Sequence, residues 1–131
     1  MPVIIWINGG FGAGKTTLAA ELGRRLPDAV VYDPEDIGLM LWKWIPPNGD
    51  FQHLAAWREL VVATALALRR HHADTLVVPM SLIRDAYRAE IPAAWPMGAR
   101  MSCTYSWRRT LGRSGVAQLI ERSCRLARLA N

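Results

Sequence analysis

The sequence predicts an α/β fold, a parallel sheet with helices on both faces. Three observations carry the prediction. Short apolar, β-branched runs alternate with stretches whose apolar residues recur at helical spacing. The first run passes through a glycine-rich turn directly into a helix. The runs end at the glycine-rich turn, at Asp33 to Asp36 and at Pro79 to Ser81, three segments expected to converge beyond the carboxyl ends of parallel strands, where ligands bind in such sheets.

The first strand is Val3-Ile4-Ile5-Trp6-Ile7, of the kind buried on both faces. It leads into Gly9-Gly10-Phe11-Gly12-Ala13-Gly14-Lys15-Thr16, with Thr17 behind it, which fits G-x-x-x-x-G-K-[ST], the Walker A pattern. Leu18 to Leu26 follows at helical spacing, with Arg24 and Arg25 in the last turn and Pro27 as a stop. Strand, glycine loop and helix together are the context in which this motif holds phosphate. The glycines let backbone N–H groups close on phosphate oxygens, and the helix start adds its own N–H groups and positive dipole end. Lys15 is expected at the β- and γ-phosphates of ATP and the Thr16 hydroxyl on Mg²⁺.

A second strand, Ala29 to Tyr32, ends at Asp33-Pro34-Glu35-Asp36. Asp33 is placed as a helix N-cap, Pro34 as the first helical residue and Asp36 as a capping-box acid, with Glu35 solvated. The helix is expected to run through Ile37, Met40, Leu41 and Trp44 to the Pro46-Pro47-Asn48-Gly49 break. Asp50 then caps a longer helix with apolar positions Leu54, Trp57, Val61, Ala65 and Leu68 and a basic end, Arg69 to His72. His71 and His72 read as solvated helix-end residues. A third strand, Thr75 to Val78, ends at Pro79-Met80-Ser81, and a helix is expected from Leu82 to Ile91 with Ser81 as its cap.

Composition bounds the rest. With 131 residues, 51% of them hydrophobic, the chain is globular and makes one domain. Its apolar runs are too short to span a bilayer, and the N-terminal run reads as a strand rather than a signal peptide. Cys103 and Cys124 lack metal spacing, which makes a reducing cytoplasm the expected compartment. The net charge of +5 is unevenly spread. Through Ile91 there are nine Lys/Arg against ten Asp/Glu, whereas from Pro92 there are seven Arg, no Lys and one acid, Glu121. The strand–helix alternation also fails there. Residues 1–91 are therefore expected to form the nucleotide-binding core, and residues 92–131 an atypical basic segment that reads as non-native frame. Arg108, Arg109 and Arg113 have three readings: a tail without a role, a charge-neutralising lid, or a phosphate-binding patch. The first is preferred, and nucleic acid is the weakest because the patch has little aromatic interleaving.

Residues 1–91 resemble the tunicamycin-resistance protein family, P-loop proteins of the nucleoside-monophosphate-kinase type related to chloramphenicol phosphotransferase and the zeta toxins. The matching pieces are Ile5-Trp6-Ile7-Asn8-Gly9 with the glycine loop and Val31-Tyr32-Asp33-Pro34-Glu35 with Gly38. Asp50-Phe51-Gln52 with Trp57-Arg58, and Val77-Val78-Pro79-Met80, complete the set. The resemblance implies ATP binding, then either transfer of the γ-phosphate to a small-molecule acceptor or capture of an antibiotic such as tunicamycin. On it, Asp33 is either the base that takes the acceptor's proton or a Mg²⁺ holder through water, and Arg58 borders the acceptor site. The departure is past Ile91. Without a fourth and fifth strand, the central first strand would be left as an exposed edge.

Overall fold

The computed structural model describes residues 3–9, 14–26, 28–82, 84–93, 100–101 and 105–107, together with Gln118 and Glu121. The strands are β1 (Val3–Gly9), β2 (Ala29–Val31), β3 (Thr75–Pro79), β4 (Arg100–Met101) and β5 (Tyr105–Trp107). The helices are α1 (Lys15–Arg25), α2 (Glu35–Leu41), α3 (Ala55–His71) and α4 (Asp85–Ala93), with a single 3₁₀ turn at Phe51–His53. The α/β class with a parallel sheet is as the sequence predicts. β1 pairs in parallel with β3, and β3 with β2, giving the order β2-β3-β1.

Past these three strands the sheet is thin. β4 pairs with β1 in parallel at Val3 and Ile4, and β5 at Ile7, Asn8 and Gly9. The sheet is thus incomplete after its third strand, as expected, although the edge of β1 is not left wholly open. Its second side is met at both ends by short strands from beyond residue 92, which cover part of its unpaired backbone.

β1 and β3 are buried on both faces, which explains their unbroken apolar runs. One face packs Ile5, Ile7 and Val77 against Leu18, Ala19, Leu22 and Leu26 of α1 and its end. The other packs Ile4, Trp6, Leu76 and Val78 against Trp57, Val61 and Ala65 of α3, with Tyr32, Phe51, Tyr87 and Ile91. Helices thus lie on both faces, as right-handed crossovers require.

Three elements differ from the sequence reading. The α2 helix stops at Leu41, and Trp42 to Trp44 form a turn in which Trp44 is 70% exposed. Asp50 caps the 3₁₀ turn, not a long helix: its Oδ1 accepts the Gln52 N–H at 2.8 Å, and α3 starts only at Ala55. Ser81 is likewise not a cap, because α4 begins four residues later at Asp85.

Candidate functional site

The strand register brings three loops to one edge of the sheet. Ile7 stands opposite Pro79, and Val31 opposite Val77. The pairing continues one residue further, with the Met80 N–H donating to Ile7 O at 3.1 Å and the Tyr32 N–H to Val77 O at 2.8 Å. The end of β1, the Asp33 turn and Met80-Ser81 therefore converge at the carboxyl ends of the strands.

Of the glycine loop, Gly10, Phe11, Gly12 and Ala13 lie outside the described residues, whereas Gly9 closes β1 and Gly14 opens α1. Gly14 has φ 84°, ψ 21°, the left-handed region that a glycine enters without strain. It is the N-cap of α1, no side chain caps that end, and the Leu18 N–H closes the first turn on Gly14 O at 3.0 Å. Lys15 follows, half-buried, and Thr16 and Thr17 are exposed beside it. This helix start is able to receive an anionic group.

Lys15 and Asp33 lie at the same edge of the sheet, near enough for each to feel the other's charge. Burial lowers the proton affinity of Lys15, against the attraction of Asp33 and Glu35, which raise it. Burial likewise holds the Asp33 carboxyl above its ordinary value. The Glu35 N–H, donating to its Oδ1 at 2.9 Å, opposes this, Asp36 adds to it, and Lys15 again opposes it. For both groups desolvation outweighs the attraction between them. A carboxylate whose affinity for a proton is raised, at the same sheet edge as a lysine, is suited to accept a proton from a hydroxyl. That Glu35-to-Asp33 bond closes a turn ahead of α2, and the expected N-cap role of Asp33 is corrected: the cap position falls on Pro34, where no side chain bonds the helix start.

The neighbouring cluster is built from side chains. Gln52, 2% exposed, donates from Nε2 to Ser81 O at 2.7 Å. Phe51 lies 5.4 Å from the rings of both Trp42 and Trp57, and Gly38 is flush against its ring, where a Cβ would collide. Arg58 donates from Nε to the Glu90 carboxylate at 3.0–3.1 Å and from Nη1 to Gln52 O at 2.8 Å. Its guanidinium also lies over the Tyr87 ring, 4.6 Å from the centroid, while the Tyr87 hydroxyl pairs with His53 Nδ1 at 2.9 Å. The structure thus sets Lys15 and Asp33 at one edge of the sheet, within reach of each other's charge, and places Arg58 in an adjoining cluster. Tyr87, Glu90 and His53 were not singled out from the sequence. Glu90 lies 32 residues from its partner, and Tyr87 34 from His53, so no local spacing marks either pair. Arg108, Arg109, Arg113, Cys103 and Cys124 lie outside the described residues.

Comparison with solved structures gives the fold a name. The tunicamycin resistance protein of Deinococcus radiodurans superposes with a TM-score of 0.64 at 37% identity, over 71% of this chain and 54% of that one. This chain has a P-loop kinase fold. The Pnkp1/Rnl/Hen1 complex matches over 89% of this chain and 38% of the other at 16% identity and a TM-score of 0.65, a likeness of fold alone. The chain spans about half the length of the tunicamycin resistance protein to which it is similar. No family model matches the chain, and no curated protein matches it. No helix among the described residues is long and apolar enough to cross a membrane.

Proposed function

We propose that this chain is an ATP-binding P-loop phosphotransferase of the antibiotic-resistance type, working in the cytoplasm on a small-molecule acceptor such as tunicamycin. The supporting observation is the Lys15–Asp33 pair at the carboxyl ends of the strands, beside an uncapped helix start. Gly9 to Thr17 would hold the triphosphate, with Lys15 at its β- and γ-phosphates and the Thr16 hydroxyl on Mg²⁺. The metal would neutralise charge on the phosphates. Asp33 would take the proton of the acceptor hydroxyl as that oxygen bonds to the γ-phosphorus. The bond to the β–γ bridging oxygen breaks, and ADP leaves. Because such transfer is mostly positioning and charge stabilisation, the chain needs little other machinery.

Arg58 would shape the acceptor side through Gln52 and Tyr87. One observation favours a second reading, a nucleotide-binding protein that sequesters the drug without catalysis. The Arg58 guanidinium is already engaged by Glu90, Gln52 and Tyr87. The deciding experiment is transfer of labelled phosphate from ATP to tunicamycin. Phosphotransfer predicts a labelled product that Asp33→Asn abolishes while nucleotide binding persists. Binding without any product supports sequestration. Residues 92–131 are proposed to be a segment in non-native frame. Translation of the other two frames past codon 91 should then yield an apolar strand followed by an arginine-rich lid, and neither doing so refutes that.

A further inference from the structure

Two loops at the site are held by three buried side-chain donors that reach backbone carbonyls. Trp6 Nε1 donates to Met80 O at 2.7 Å, Gln52 Nε2 to Ser81 O at 2.7 Å, and Trp57 Nε1 to Pro34 O at 2.9 Å. The third acts closest to the proposed chemistry. Pro34 directly follows Asp33, is itself fully buried, and lies inside the turn that Asp33 Oδ1 closes on the Glu35 N–H. β2 fixes one end of that turn, since the Tyr32 N–H is bound to Val77 O. The Trp57 indole fixes the other.

The indole has no room to move. Trp57 is 0% exposed and packs against the Phe51 ring, tilted at 43°, on a helix whose Val61 and Ala65 are also fully buried. In an interior packed to crystal density such a ring transmits its position to whatever it is bonded to. An aliphatic or phenyl side chain would fill a core without needing a partner. An indole must pair its N–H when buried, and here the pairing falls on the carbonyl next to the site carboxylate.

We propose that Trp57 is a positioning residue for Asp33: its indole N–H, through the Pro34 carbonyl, sets where the Asp33 carboxylate stands relative to Lys15. The kinetic consequence rests on the phosphotransferase reading, whereas the positional consequence does not.

The test compares Trp57→Phe with Trp6→Phe in the full chain, since both lose an indole N–H from the same face of the sheet. Asp33 is followed by carboxyl ¹³C titration, Mg·ATP affinity by calorimetry, and transfer to the acceptor by steady-state kinetics. W57F is expected to move the Asp33 titration toward that of an ordinary aspartate, while W6F leaves it in place. W57F is also expected to lower kcat about 10- to 100-fold with nucleotide affinity unchanged, the cost of a misplaced reacting group. A bond that merely satisfies the indole would lower Tm and leave the titration alone. That result, or equal shifts in both variants, overturns the proposal. Should W57F not fold, site-specific benzothienylalanine at position 57 keeps the shape without the N–H and is read the same way. If the wild-type chain transfers phosphate to no acceptor, the phosphotransferase reading fails and the titration still decides the role of Trp57.

Discussion

The sheet face carrying α1 and the face carrying α2, α3 and α4 place their functional groups by different means. On the α1 side the core is aliphatic and small, with Ile5, Ile7, Leu18, Ala19 and Leu22, and the site above it is made of backbone and one lysine. On the other side the core contains Trp6, Tyr32, Phe51, Trp57 and Tyr87, and indole, amide and guanidinium donors reach across to loop carbonyls. A phosphate cradle needs only a local conformation, which glycines and a helix start supply within a few residues. An acceptor site, on the proposed function, would be shaped by distant groups through those long-range hydrogen bonds.

Truncation of the two cores separates them most widely. Trp57→Ala should cost about 3–5 kcal/mol by urea denaturation, because it empties the largest fully buried side chain among the described residues and strips Pro34 O of its indole donor. Leu22→Ala, on the opposite face, should cost about 2–3 kcal/mol, since its aliphatic neighbours can close in. Equal costs would break the distinction.

The next effect concerns two helix glycines, one on each side. A Cβ on Gly38 would run into the ring of Phe51, which is boxed in by Trp42 and Trp57, so Gly38→Ala should lose about 1–3 kcal/mol. At Gly23 the Cβ would lie 2.6 Å from Cγ2 of Val31, a residue 43% exposed on the edge strand. That side chain can move, and helix propensity returns about 1 kcal/mol, so Gly23→Ala should be close to neutral. Smaller again is Arg58→Lys, which keeps the charge but loses the planar fork and much of the stacking on Tyr87. It should cost about 1–2 kcal/mol and leave Mg·ATP binding intact, as calorimetry would read.

Charge gives the mildest effects. The Asp33 carboxyl holds its proton more tightly in the folded chain than in the unfolded one. Its contribution to stability is therefore present at acid pH and lost as pH rises through its folded value. Asp33→Asn should raise Tm at pH 7, with the gain shrinking as pH falls through the aspartate range. Glu21 has the opposite sign. Its hydrogen bonds and attraction to Arg24 and Arg25 bring it down to about 2, so its contribution is lost only as pH falls toward that value. The cluster is on the surface and screened, so Glu21→Gln should leave Tm at pH 7 within error.

The same contrast explains what could be read from the sequence. Gly14, Lys15, the Asp33 turn and the cap at Asp50 are local devices, and each was visible in a window of a few residues. Helical spacing also marked Trp57, Val61 and Ala65 as the core stripe of α3. The bonds from Trp57 to Pro34, Gln52 to Ser81 and Trp6 to Met80 span 23, 29 and 74 residues. No periodicity encodes such pairings, because they depend on how elements stack. Misreadings came where a local signal had two outcomes. A capping aspartate at position 50 serves a 3₁₀ turn as well as an α-helix, and the run through Trp44 is apolar enough to look helical although only part of it is. Around β4 and β5 the sequence offers no more than one weak strand, Met101 to Tyr105, because pieces of two and three residues carry too little pattern to be told apart.

The central claim, that the end of β1 and the start of α1 hold a triphosphate, is tested most directly by isothermal calorimetry of the folded 131-residue chain with Mg·ATP. The account predicts saturable heat at one site for the wild type, retained in Asp33→Asn and Arg58→Lys and abolished in Lys15→Ala. Absence of heat from a sample shown to be folded, or undiminished heat from Lys15→Ala, would contradict it.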